Sequence, residues 1–200
     1  MVRTWFYLDD LLAWYDTFNE TRTGFFKSRD VLSHLIPAST GIGAANPAGK
    51  ALTAAALAIK PRNESFLIRE VSSPLQCSAT AYRSSFSRAV ELECRGQRTL
   101  LISGTASIAP DGRTVHSEDV AKQIDVTLDV VEAILKSRGM KWANATRAIG
   151  YFRDLSNLPI FDDCCRKRGM AQVPLTRVPG TICRPDLLFE MELDAVVGKS

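Results

Sequence analysis

The chain has 200 residues, enough for one or two small domains with a sizeable core. Apolar residues at 46% and charged residues at 24% fit a soluble globular protein, and a net charge of +3, spread along the chain, offers no basic stripe for nucleic acid. No apolar run approaches the ~20 residues of a membrane span; the most apolar stretch, 52–59, has only strand length. The opening Met1-Val2-Arg3-Thr4-Trp5 has no basic lead, long apolar core or small-residue cleavage site, so it is not read as a secretory signal. Five cysteines, an odd number without CxxC spacing, argue against a disulfide framework and against structural zinc. Reduced thiols in a cytoplasm are the simplest reading. His34 and His116 stand far apart in no ligand pattern, so no metal and no cofactor is expected.

In chain order, the first element is a strand that runs into Asp10-Leu11 and a helix carrying Leu12, Tyr15, Phe18, Thr21, Arg22 and Phe25. A proline-led segment, Pro37-Ala38-Ser39-Thr40, precedes a strand over 51–59. Residues 61–78, with Pro61, Asn63, Ser72, Ser73 and Pro74, read as a connection. Strands follow over 88–93 and 99–108, joined by a turn at Arg95-Gly96-Gln97. A helix is expected over 117–138, capped by Ser117, with Val120, Ile124, Leu128, Val131 and Leu135 on one face and Gly139 as its stop. A strand over 145–153, a short helix over 159–168 and strands over 176–183 and 187–196 complete the chain. Residues 79–200 thus give β-β-α-β-α-β-β, an α/β (α+β) sandwich of helices on a sheet.

The N-terminal elements repeat the second half of that order. Arg3, Tyr7, Asp10 and Leu11 match Arg147, Tyr151, Asp154 and Leu155, and Pro37 leads its segment as Pro174 leads Leu175-Thr176-Arg177. We therefore read 1–60 as the second half of a first, degenerate copy, 61–78 as the connection and 79–200 as a complete second copy. A sheet cut in half has an unpaired edge and a bare face, so a closed assembly, expected to be a homotrimer, should cover it.

Four strings carry a resemblance: Tyr82-Arg83-Ser84-Ser85-Phe86-Ser87-Arg88-Ala89, Leu101-Ile102-Ser103-Gly104, Glu118-Asp119-Val120-Ala121-Lys122-Gln123 and Glu190-Met191-Glu192-Leu193-Asp194-Ala195. In this order and spacing residues 79–197 resemble the RidA/YjgF family, whose chorismate-mutase-like fold has the same element order. The string Thr181-Ile182-Cys183-Arg184-Pro185-Asp186-Leu187-Leu188-Phe189-Glu190, the Ser84 to Ala89 block, Val2 to Asp10 and the tandem arrangement are similar to the chorismatase branch, whose members release pyruvate from chorismate.

On the last strand Phe189, Met191 and Leu193 share one face, while Glu190, Glu192 and Asp194 share the other. Acids on one face of an apolar strand need water, basic partners or a function. The resemblance implies that Glu190 is a general acid that protonates the methylene carbon of the enolpyruvyl ether. It also implies that Cys183 and Gly104 line the pocket and bear on product choice. Cysteine at 183 goes with 3-hydroxybenzoate, a smaller residue with a dihydroxycyclohexadiene carboxylate. By themselves, Cys183 reads as a small buried residue and Gly104 as turn geometry.

Chorismate is a dicarboxylate, which calls for arginine forks. Of Arg88, Arg147, Arg153 and Arg177, we favour Arg88 and Arg153, with Tyr82 as a hydroxyl partner. A RidA-like imine deaminase is the alternative, but both copies lack the arginine expected two residues after the closing proline. A non-enzymatic ligand-binding or structural subunit is the other alternative; a solvated Glu190 would favour it.

Overall fold

The structure, a computed structural model, describes residues 1–61, 66–82 and 84–198. It contains a three-stranded and a six-stranded sheet. The first is built by β1 (Arg3–Leu8), α1 (Leu11–Ser28), β2 (Ala38–Gly43) and β3 (Leu52–Leu57), with strand order β2-β1-β3. The second holds β4 (Phe66–Val71), β5 (Ala89–Cys94), β6 (Gln97–Ala106), β7 (Ala145–Phe152), β8 (Leu175–Pro179) and β9 (Phe189–Val197), in the order β4-β5-β6-β9-β7-β8. Helices α2 (Val120–Ser137) and α3 (Leu158–Lys167) complete it.

The segment expected to be a connection carries a strand: β4 pairs antiparallel with β5 at the sheet's edge, and its alternating Phe66 and Ile68 pack against Val90, Leu92 and Leu101. Asn63 lies outside the described residues. The expected 176–183 strand stops at Pro179, because Gly180 turns the chain into an irregular run that reaches β9. Helix α2 starts at Val120 rather than Ser117: the Asp119 side chain accepts from the Lys122 amide and is the cap. Gly139, at φ 66°, ends it as expected.

Ile124, Leu128, Val131 and Leu135 bury one face of α2 on the sheet, where they meet Phe189, Met191 and Leu193 of β9. Phe152, Phe161 and Phe189 interlock there with centroids 4.9–5.2 Å apart. Gln123 is fully buried; its amide donates to the carbonyls of His116 and Asp186 and accepts from the Leu188 amide, which fixes the approach to β9.

The two sheets share a local topology. β1 runs parallel to β2 and antiparallel to β3; β7 runs parallel to β8 and antiparallel to β9. Tyr7 lies across from Thr53, as Tyr151 lies across from Glu190. By register, then, Thr53 occupies in the first sheet the place of Glu190 in the second. The same register sets Ser39 against Thr4 and Leu175 against Ala148, so the proline-led segments correspond one residue away from a Pro37–Pro174 match.

Candidate active site

The sheets meet where β2 lies against β6. The β6–β9 ladder is irregular between Ile102 and Thr105, and the freed groups turn to β2. The Ser39 amide donates to Ser103 Oγ at 2.9 Å, and the Gly104 amide donates to Thr40 Oγ1 at 3.0 Å. A cavity of about 230 Å³ opens beside this seam. Glu190 of β9, Gly104 of β6 and Gly41 of β2 form its floor, Arg88 and Phe86 one side, Cys183 and Arg184 another. Tyr15, Asn19 and Arg22 of α1 close it.

Glu190 is 5% exposed, and among the described residues no hydrogen bond reaches its carboxyl. Burial, and next the charge of Glu192, push it up to about 8, with Arg3 and Arg88 pulling the other way. A proton is therefore held on Glu190 near neutral pH. Gly104 makes room for it: a methyl group at residue 104 would sit 2.0 Å from Glu190 Oε1 and 3.3 Å from Thr40 Cγ2. The space that a side chain at residue 104 would fill is thus taken by the carboxyl of Glu190, while Gly104 and Cys183 both line the cavity.

Glu192, two residues on, has the opposite surroundings. It accepts from Arg3 Nη2 at 2.8 Å, from Arg147 Nη1 at 2.5 Å and from Trp5 Nε1 at 3.2 Å. Burial alone would raise it, but Arg3, Thr40 and Arg147 hold it below the usual carboxylate range. Asp194 accepts from Arg147 Nε at 2.7 Å. The acidic face thus meets basic partners at Glu192 and Asp194 and the cavity at Glu190. Cys183 is half-buried beside Tyr15, and burial, then Glu190, push its thiol up to about 12, so it lines the cavity as a neutral thiol.

Of the residues expected at the site, Glu190, Cys183, Gly104 and Arg88 come together. Arg153 does not line the cavity. Its guanidinium donates to the Pro185 and Arg184 carbonyls at 2.8 Å and braces the loop before β9. Arg147 is committed to Glu192 and Asp194, and Arg177 pairs with Asp162. The side chain of Tyr82 lies outside the described residues. Sequence reasoning missed Arg22, Arg184, Tyr15 and Asn19. Tyr15, Asn19 and Arg22 follow the i, i+4, i+7 spacing of one helix face, a polar stripe beside the apolar Phe18, and that signal was available. Arg22 lies over the rings of Phe6 and Phe18, donates to Asn19 Oδ1 at 2.7 Å, and so is held at the cavity wall. Among the described residues, no three His, Cys, Asp or Glu side chains come together as a metal site, and no helix is long and apolar enough to cross a membrane.

No family model and no curated protein matches the sequence. Solved structures do. A chorismatase superposes with a TM-score of 0.78 at 24% identity over 97% of this chain, which spans 63% of that protein's length. The yeast protein Mmf1 gives 0.53 at 22% identity over 66% of this chain and all of its own. The YjgF gene product of E. coli gives 0.51 at 19% identity over 64% of this chain and 98% of its own. The chain has the RidA/YjgF-like α/β fold that these proteins share.

Proposed function

We propose that this chain is a chorismatase-type enzyme that releases pyruvate from chorismate, with Glu190 as the general acid. The observation that carries the reading is a buried carboxyl, protonated near neutral pH, in a cavity that Arg22, Arg88 and Arg184 also line. Those cations suit a small dicarboxylate. The proton of Glu190 passes to the terminal methylene carbon of the enolpyruvyl group, and positive charge develops on the ether carbon. Water adding to that carbon gives a hemiketal that collapses to pyruvate and the diene diol. Alternatively, the neighbouring ring hydroxyl attacks the ring carbon that bears the ether, that carbon–oxygen bond breaks to release pyruvate, and the arene oxide so formed isomerises to 3-hydroxybenzoate. Either route leaves Glu190 ionised until the proton lost by the attacking water or ring hydroxyl restores it. Cys183, with its neutral, polarisable thiol at the wall, favours the waterless route. A solvated Glu190 would have favoured a non-catalytic subunit, and Glu190 is 5% exposed.

The internal symmetry of the two sheets supports reading residues 1–60 as half of a first copy that has lost its acid, with Thr53 in its place. Five free thiols among the described residues support a reducing, cytoplasmic setting, and we expect a homotrimer. Incubation with chorismate and an assay for pyruvate tests the reading. The Glu190→Gln variant keeps the shape without the proton and should lose ~10²–10⁴ in rate while its circular dichroism is unchanged. Full activity in that variant, or no pyruvate from the wild-type protein, would overturn it.

A further inference from the structure

Glu190 and Glu192 project from the same face of β9, yet one is built to keep a proton and the other a charge. The difference lies mainly in β1. Arg3 is fully buried, and its Nη2 donates both to Glu192 Oε2 at 2.8 Å and to Thr40 Oγ1 at 2.7 Å. Thr40 in turn receives the Gly104 amide, the backbone against which Glu190 rests. Glu192 is faced by Arg3 and Trp5 from β1, Thr40 from β2, Arg147 and Tyr151 from β7, and Asp194 on its own strand. Glu190 is faced by Glu192 on its own strand, Arg3 from β1, Arg88 before β5, Cys183 before β9, Tyr15 from α1 and Tyr151 from β7, and the charge of Arg3 acts on it as well as on Glu192. Two buried carboxyls on one strand face oppose each other's ionisation, so the one that holds Arg3 as its ion-pair partner keeps its charge and disfavours charge on its neighbour.

We propose that Arg3 is a positioning residue that keeps the proton on Glu190, by locking charge on Glu192 and, through Thr40, bracing Gly104 beneath the acid. This rests on the acid role given to Glu190. Arg147 binds Glu192 as well, but it also serves Asp194 and reaches Glu192 from the rim, whereas Arg3 is sealed between the sheets. A segment outside the complete domain thereby sets the protonation of the acid inside it.

The test is infrared titration of carboxyl groups, which reads the proton whether or not chorismate is cleaved. In the wild-type protein one carboxyl should titrate well above the ordinary range, and its band should vanish in Glu190→Gln. In Arg3→Met, Glu192 loses its buried ion-pair partner and keeps only Arg147 at the rim, so a second carboxyl should titrate above the ordinary range and persist after Glu190→Gln is added. Arg3→Lys should keep the wild-type pattern. With chorismate, Arg3→Met should lose ~10-fold or more in kcat, and Arg3→Met combined with Glu192→Gln should recover much of it, since no second carboxyl competes.

If Arg3→Met fails to fold, Glu192→Gln decides. Relieved of its charged neighbour, with Arg3 uncompensated, Glu190 should titrate back towards the ordinary carboxylate range. Loss of the band when Glu190→Gln is added to Arg3→Met would overturn the proposal, as would an unmoved Glu190 in Glu192→Gln. A wild-type protein that shows the expected titrations but releases no pyruvate would sink the reaction and leave this assignment standing.

Discussion

Glu190 and Glu192 are the same residue type on the same strand face, and only their neighbours separate them. The alternation that puts both on one face is legible in the sequence, as is the need for a reason to place acids there. Their separate fates are not, because Arg3 lies 189 positions from Glu192 and no local pattern joins them. The same holds for Arg153, whose place near the end of a strand suggests a ligand-binding role until its carbonyl partners are seen.

A consequence for stability follows from the raised Glu190. A carboxyl whose folded value is about 8 binds its proton more tightly folded than unfolded. Its contribution is fully present below the ordinary carboxylate range and is lost as pH rises towards 8. Wild-type stability, measured relative to Glu190→Gln by urea unfolding, should therefore fall between pH ~5 and ~8, by up to about 1.4 kcal/mol per pH unit, and level off above. A flat difference across that range would mean that Glu190 is ionised in the folded protein at neutral pH.

At the scale of elements, the seam between the sheets depends on close backbone approach. Gly43 and Thr181 exchange backbone hydrogen bonds of 2.7 and 3.0 Å. A methyl group on Gly43 would lie 2.7 Å from Thr181 Cβ and 3.0 Å from Leu11 Cβ. Gly180 meets the same constraint from the other side, where an added methyl would lie 2.7 Å from Ile42 Cγ2. Gly43→Ala should cost ~1–3 kcal/mol and loosen the loop that carries Cys183. Gly24→Ala, in α1 with open space around it, should be neutral or stabilising by up to ~1 kcal/mol. Urea midpoints of the two variants give the comparison, and equal midpoints would mean that the seam yields freely. Periodicity located α2, and the Asp-Leu repeat located α1 and α3. Strand β4 was hidden because a short edge strand amid Pro and Ser has the composition of a linker, and only its pairing with β5 reveals it.

At the scale of the molecule, the two sheets differ in how their edges are finished. In the larger one β9 is flanked by β6 and β7. In the smaller one the equivalent strand, β3, has all six residues exposed and carries Leu52-Thr53-Ala54-Ala55-Ala56-Leu57 without a charge or a proline. Nearby, Phe25 is 56% exposed. An uncharged apolar edge of this kind invites pairing, and this supports the expected closed assembly. Light scattering should give a mass of several copies at micromolar concentration; a stable monomer would count against it. Four identities and the order of elements led to the expectation of a half-copy, but that its elements would wall the cavity was not legible, since that depends on how the sheets dock.

The position of β9 also bears on how the protein is made. Of the described strands this one leaves the ribosome after all the others, yet it belongs in the middle of its sheet, between β6 and β7. Until it emerges, the nascent chain has two strand edges facing an empty slot, and α2 has no partner for much of its apolar face. Arg3, made 189 residues before Glu192, waits as a bare cation for its carboxylate. Closure of so non-local an arrangement is slow by nature and exposes sticky surface meanwhile. Yield in the cell should accordingly depend on chaperones that hold the unfinished chain, and Glu190 arrives with the strand that fills the slot.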